Sequence, residues 1–123
     1  MAATRNQIEA FKAQCRRAGL KATHQRAEIY RELAGTREHP DVETIYERVH
    51  RRIPALSLDT VYRTLNMFEK KAIVSRVGLP GSRTRFDANM TRHHHFVCTT
   101  CGRIGDFASQ ALDRVTAPPE ALA

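Results

Sequence analysis

No stretch of this 123-residue sequence approaches the roughly 18 consecutive apolar residues that a membrane span requires, and its first residues lack a charged flank followed by an apolar run. The chain therefore reads as soluble, unexported and cytoplasmic. Cysteine is scarce. Three residues are too few for a disulfide framework, and two of them stand as Cys98-x-x-Cys101, a spacing used for zinc or redox work in reducing compartments. The third, Cys15, falls on the apolar stripe Ile8, Phe11, Cys15 of a first helix and reads as a buried structural thiol. Internal repeats and low-complexity tracts are absent. Acidic charge is also in deficit, and unevenly so. Residues 1–92 carry 18 Lys and Arg against 10 Asp and Glu, whereas residues 93–123 carry 2 against 3. The basic excess, a formal net charge of +7, thus belongs to the first part. It suits a polyanionic partner, and because no basic helix shows the broad apolar face of a membrane binder, nucleic acid fits better than a membrane surface.

What is present falls into four helical segments followed by two hairpins. Residues 4–18 carry the stripe just named and stop at Gly19. Thr23 can cap a second helix whose inward positions are Ile29, Tyr30 and Leu33, with Gly35 at its end. Pro40-Asp41 opens a third, with Val42, Ile45 and Val49 at helical spacing and Pro54 to close it. Ser57 can cap a fourth, in which Leu58, Val61, Leu65, Phe68 and Ala72 form one apolar face. The period then changes. Ile73 to Leu79, a Pro80-Gly81 turn, and Arg83 to Ala88 predict a short hairpin. Three compact helices followed by a hairpin make a winged helix-turn-helix, here with an extra helix in front. A break at 89–92 reads as a hinge between a winged-helix domain at 1–88 and a second segment at 93–123. There, the runs 93–98 and 103–107 flank the turn Thr99-Thr100-Cys101-Gly102 and predict a second hairpin with a cysteine knuckle at its tip. Residues 109–116 could add a short helix through Leu112 and Val115. The fold class is α+β, and the last 31 residues cannot bury a core alone.

If Val61, Leu65 and Phe68 face inward, then Asp59, Tyr62, Arg63 and Asn66 share the outward face of the fourth helix. That face carries base-reading chemistry: Arg bonds a guanine edge bidentately, Asn does so with adenine, and a Tyr ring packs on a thymine methyl. Arg83 and Arg85 on the wing, with Arg16, Arg17 and Lys21 near the end of the first helix, are placed to meet phosphates.

A second constellation points to metal. His93-x-His95 within a strand puts two imidazoles on one face, with His94 on the other. Asp87 from the wing, Asp106 from the partner strand and His39 from the loop before the third helix could close on the same ion. Three imidazoles and two carboxylates suit iron, manganese or zinc, unlike the thiolate set of structural zinc. A small metalloenzyme could use such a cluster, although no nucleophile or general base stands beside it in an identifiable motif. A zinc-knuckle interaction module without DNA specificity is a third class.

The segments Glu38-His39-Pro40, Thr60-Val61-Tyr62-Arg63-Thr64-Leu65, Arg85-Phe86-Asp87 and His93-His94-His95-Phe96-Val97-Cys98-Thr99-Thr100-Cys101-Gly102 resemble, in order and spacing, those of the ferric uptake regulator family, over roughly residues 5–115. The resemblance implies a winged helix-turn-helix DNA-binding domain joined to an α/β dimerisation segment, acting as a homodimeric, metal-dependent transcription repressor on a palindromic double-stranded DNA operator. It implies a regulatory Fe(II) or Mn(II) at His39, Asp87, His93, His95 and Asp106, and structural Zn(II) at Cys98 and Cys101. Asp rather than Glu at 106 resembles the peroxide-responsive members, which sense peroxide by oxidation of iron-ligating histidines, more than the iron- or zinc-uptake regulators. The sequence departs from the family at its end. The further strands and second CxxC that complete the dimerisation segment are not present by residue 123, so that segment reads as incomplete and the zinc site needs ligands beyond two thiolates.

Overall fold

The helices begin where the sequence supplies a side-chain acceptor for orphan N–H groups. In a computed structural model describing residues 3–36, 38–78, 84–90 and 94–114, Thr4 caps α1 (Arg5–Arg17) in a capping box with Gln7. Thr23 caps α2 (His24–Ala34), Asp41 caps α3 (Val42–His50) and Ser57 caps α4 (Leu58–Lys70). Each cap satisfies one donor that the helix cannot, worth about 1 kcal/mol. The chain divides into two compact units between Met90 and Thr91.

In the first unit one apolar core joins all four helices to the wing. Phe11 of α1 stacks on Tyr30 of α2 at 4.4 Å and meets Phe68 of α4 edge-on at 5.5 Å, while Ile29, Ile45, Val49, Val61 and Leu65 fill the space between helices. Cys15 is fully buried here, as its place on the stripe predicts. The wing is a pair of antiparallel strands, β1 (Ser75–Val77) and β2 (Arg85–Asp87), with Arg76 opposite Phe86. An isolated bridge between Asp41 and Arg85 ties β2 to the start of α3.

Several expectations need correction. The apolar face of α4 is shorter than its sequence pattern: Leu58 is exposed at the first turn, and Ala72 lies beyond the helix with φ +56°. Thr64 is buried in their stead. The end of α4 is a Schellman motif, in which the Ile73 N–H reaches the Phe68 carbonyl at 2.9 Å and the Ala72 N–H reaches Glu69 at 3.0 Å. That geometry needs a left-handed residue, and alanine fills the position. The end of α1 uses the same bonds with Gly19 at φ +74°. Helix α3 stops at His50, ahead of Pro54, where His50 Nδ1 lies 3.2 Å from the Leu56 carbonyl and its ring stacks on Tyr46. The strand expected from Ile73 is confined to Ser75–Val77, because Ile73 and Val74 are buried in the core before pairing begins. The expected Pro80-Gly81 turn lies outside the described residues.

The second unit is a hairpin. Strands β3 (His94–Val97) and β4 (Ile104–Phe107) pair antiparallel, with His95 opposite Asp106 and Phe96 opposite Gly105. Phe96 covers Gly105 so closely that any side chain there would collide with its ring. The predicted last helix is a single turn, α5 (Gln110–Asp113), capped by Ser109, with Leu112 exposed. Val115 lies outside the described residues. No helix among the described residues is long and apolar enough to cross a membrane.

Candidate nucleic-acid interface and metal centre

The fourth helix presents Asp59, Tyr62, Arg63 and Asn66 on its solvent side, as its spacing requires. None of the three base-reading candidates stands alone. Tyr62 donates its hydroxyl to Glu43 of α3 at 3.0 Å, and this acid together with Asp41 raises the phenol pKa. Arg63, with a side chain 82% exposed, pairs with Asp59 one turn earlier at 2.9 Å. Asn66 accepts a hydrogen bond from Arg76 of β1 at 3.0 Å. Glu43 and Arg76 were not singled out in the sequence, because they reach α4 from other elements and no spacing rule along one helix can find them.

Beside this face lies a cleft of about 350 Å³ between the start of α2 and α4, lined by Thr23, Arg26, Thr60, Arg63 and Met67. Two guanidinium groups line it, that of Arg63 paired with Asp59 and that of Arg26 donating to the Lys21 carbonyl at 2.9 Å. Arg16, Arg17 and Lys21 are exposed around the end of α1. Arg85 behaves differently from the free wing cation expected of it, being half-buried and reaching the Glu38 carbonyl at 3.5 Å. Arg83 lies outside the described residues.

The metal-ligand candidates of the first unit meet in its interior. The bridge from Asp41 to Arg85 brings the His39-Pro40 loop alongside β2, and the alternation of β2 sends Phe86 into the core and Asp87 toward the loop. His39 and Asp87 are 3% and 5% exposed, with Nδ1 and Oδ1 3.8 Å apart. That separation is too long for a direct hydrogen bond. It is a few tenths of an ångström longer than the roughly 3.4 Å between two ligand atoms held about 2.1 Å from one tetrahedral ion, so the pair could close on a shared ion with little movement. The Asn89 N–H donates to the same Asp87 oxygen at 2.8 Å and fixes the carboxylate. His39 has φ +51°, a left-handed conformation that costs a non-glycine residue about 1–3 kcal/mol, so the surrounding fold holds the imidazole where it is. A buried imidazole beside a buried carboxylate is a donor set that first-row divalent ions favour.

In the second unit the hairpin register sets His95 directly across from Asp106. His94 belongs to the other face, its ring 5.6 Å from Phe107. His93 lies outside the described residues. At the tip, the backbone N–H groups of Cys101 and Thr100 point at the Cys98 sulfur and lower the pKa of its thiol. Gly102, at φ +77°, closes the turn with its N–H on the Cys98 carbonyl at 2.8 Å. Both knuckle cysteines are free thiols. Two adjacent sulfurs, one of them held by amide donors, fit half of a tetrahedral zinc site. The tip of a hairpin lacks the helix N-terminus that activates thioredoxin-type pairs.

Four capped helices, a polar outward face on the last of them and a two-stranded wing define a winged helix-turn-helix protein, here followed by a β hairpin that carries histidines, Asp106 and a Cys-x-x-Cys tip. Residues 17–119 match the ferric uptake regulator family, to which this chain belongs. It is similar to the peroxide-responsive repressor PerR of Staphylococcus epidermidis, with 36% identity over 110 residues, 89% of this chain and 73% of that protein. Among solved structures it is similar to the ferric uptake regulator of Helicobacter pylori, with a TM-score of 0.73 and 28% identity over 88% of this chain and 73% of that one. PerR from Streptococcus pyogenes gives a TM-score of 0.63 and 26% identity over 97% and 88% of the two chains.

Proposed function

We propose that this protein is a cytoplasmic, homodimeric repressor that binds a palindromic DNA operator when its regulatory metal is in place, and that peroxide relieves the repression. The observation that carries the reading is the buried His39–Asp87 pair in a chain whose relatives include peroxide-responsive repressors. The regulatory ion, Fe(II) or Mn(II), would be held by His39, Asp87, His93, His95 and Asp106. The first two belong to the winged-helix unit and the last three to the segment after it, so a shared ion would couple the two. In a dimer that coupling would set the separation of the recognition helices against half-sites spaced by whole turns of DNA. Differential affinity for that one arrangement is what makes a metal a corepressor.

In the operator complex Arg63, Tyr62 and Asn66 would read base edges. Arg16, Arg17, Lys21 and Arg83 would hold phosphates, with the Arg26 cleft available to another. Cys98 and Cys101 would contribute two of the four ligands of a structural zinc. Bound ferrous iron would supply chemistry toward peroxide that Mn(II) does not readily support. The chain's own part is to place His39 and His93 where an oxygen atom can be added to an imidazole, which then binds metal poorly.

Similarity to the Helicobacter pylori ferric uptake regulator and to a zinc-bound manganese uptake regulator favours a second reading, in which metal supply alone is the signal. The relatives are repressors and uptake regulators, which leaves the metalloenzyme class without support. Gel shifts with Fe(II)- and Mn(II)-loaded protein, before and after brief peroxide treatment, separate the readings when combined with mass spectrometry of the peptides. Release of DNA by the Fe(II) form alone, with one oxygen gained at His39 or His93, is expected. Retention of DNA by both forms would establish a metal-supply regulator, and release without oxygen at either histidine would refute the sensing chemistry.

A further inference from the structure

The wing holds a residue that acts on the recognition helix. We propose that Arg76 fixes the Asn66 side chain as a hydrogen-bond donor toward the DNA and so sets its base preference to guanine instead of adenine. The proposal rests on the reading of α4 as the recognition helix.

A guanidinium group carries donors and no acceptor, so the atom of Asn66 that faces it must be the amide oxygen. Arg76 Nη2 lies 3.0 Å from Asn66 Oδ1, which leaves the Asn66 NH₂ group as the end turned away from the wing. The arginine is itself held by two partners. Its Nε and Nη2 take the two oxygens of Glu69 at 2.9 and 3.1 Å, the two-pronged geometry in which arginine binds carboxylate best. Its guanidinium also lies over the ring of Phe86, its cross-strand neighbour, at 5.2 Å from the centroid, and that ring is buried. Glu69, one turn along α4 from Asn66, ties this arrangement back to the helix that carries the asparagine.

The consequence for base reading follows from hydrogen-bond inventory. An asparagine that recognises adenine needs both ends of its amide, the oxygen accepting from N6 and the nitrogen donating to N7. An amide oxygen has two lone pairs, but here it is turned toward the wing with one of them on Arg76, so the NH₂ group is the end offered to a base. Guanine offers two acceptors on its major-groove edge, N7 and O6, thymine offers O4, and adenine offers N7 alone beside a donor that now meets another donor. Arg76 is therefore a positioning residue, and its influence passes through Asn66.

The test is selection of Mn(II)-loaded protein on randomised double-stranded DNA. Wild type is expected to enrich guanine at one position in each half-site. Arg76→Met, which keeps an apolar stem over Phe86, should shift that position toward adenine by about tenfold, the worth of one bidentate pair. In an Asn66→Ala background the same change should leave the position indifferent. Glu69→Gln, which weakens the fork but keeps the arginine, should move the preference part of the way and guards against a simple folding defect in Arg76→Met. Even weakening on all sequences with the guanine preference intact would make Arg76 a phosphate contact and overturn the inference while the repressor reading stands. A wild-type protein that selects no sequence with metal bound would instead remove the repressor reading, and this inference with it.

Discussion

The five phenylalanines divide cleanly between the two units. Phe11, Phe68 and Phe86 of the first are at most 1% exposed, whereas Phe96 and Phe107 of the second are 49% and 39% exposed. Both units have amphipathic elements, but among the described residues only the first has layers to close around a core. Four helices and a wing bury apolar stripes against one another. A two-stranded ladder has no second layer, and such a hairpin is at best marginally stable in water. The second unit therefore depends on local devices: its paired strands, the ring of Phe96 over Gly105, and the knuckle whose amides hold the Cys98 sulfur. Ile104 is its single buried apolar side chain among the described residues.

The largest effect expected from this contrast is in the core. Phe11→Ala should destabilise the protein by about 3–5 kcal/mol, whereas Phe96→Ala, already half in water, should cost under about 1 kcal/mol in the same urea titration. Comparable losses would show that Phe96 is enclosed in solution and would erase the distinction between the units. Next in size is recognition, which should belong to the first unit alone. Arg63→Ala should cost roughly 1–3 kcal/mol on an operator and little on random DNA, while Arg83→Ala should weaken both about equally and lower the salt slope by about one. Equal losses on both DNAs for Arg63→Ala would deny it a reading role.

A smaller effect separates two helix ends that share one hydrogen-bond pattern. Ala72→Gly should relieve left-handed strain and stabilise by up to about 1 kcal/mol, whereas Gly19→Ala should lose about 1 kcal/mol, although no atom lies near enough to clash with the added methyl. Thermal melts of the two variants moving in the same direction would contradict the Schellman assignment. The last expectation concerns slope instead of offset. Burial raises the Cys15 thiol above its ordinary pKa, partly opposed by Arg26, and burial followed by the nearby thiol raises Tyr30. Both groups lose their protons more readily in the unfolded chain, so their contribution to stability should be level below about pH 8.5 and decline above it, opposite in sign to that of the Cys98 thiol. Cys15→Ala should flatten that decline even though it lowers stability at neutral pH, and parallel pH curves for the two proteins would exclude the thiol from the linkage.

The parts legible in the sequence were those decided by neighbours along the chain. Thr23, Asp41 and Ser57 cap their helices as read, because a cap bonds to an N–H two or three residues on, and Thr4, expected inside the first helix, caps it instead. The stripes through Phe11, Ile29, Ile45 and Val61 were legible because helical spacing fixes a face. The same spacing misled at Leu58 and Ala72, where the pattern continued after the packing had stopped. His39 and Asp87 could be named as candidates, but not their mutual distance, which depends on a single bridge between Asp41 and Arg85. Glu43 and Arg76 were missed because their importance comes wholly from residues 19 and 10 positions away.

The partners already held by Tyr62, Arg63 and Asn66 bear on how a repressor finds its operator. If they read bases as proposed, Tyr62 and Arg63 must give up Glu43 or Asp59, or turn around it, before they can serve a base, whereas Asn66 keeps Arg76 and offers its NH₂ group. Contact with DNA is then an exchange, balanced only where a sequence returns as much as the protein surrenders. Random DNA cannot return it, and the two carboxylates repel the phosphates of a poorly matched site. Occupancy of a genome's vast number of wrong sites falls more than occupancy of the right one, since the useful quantity is the ratio between them. On the proposed reading, fewer molecules would be stranded in transit, and a smaller cellular supply would keep the operator covered.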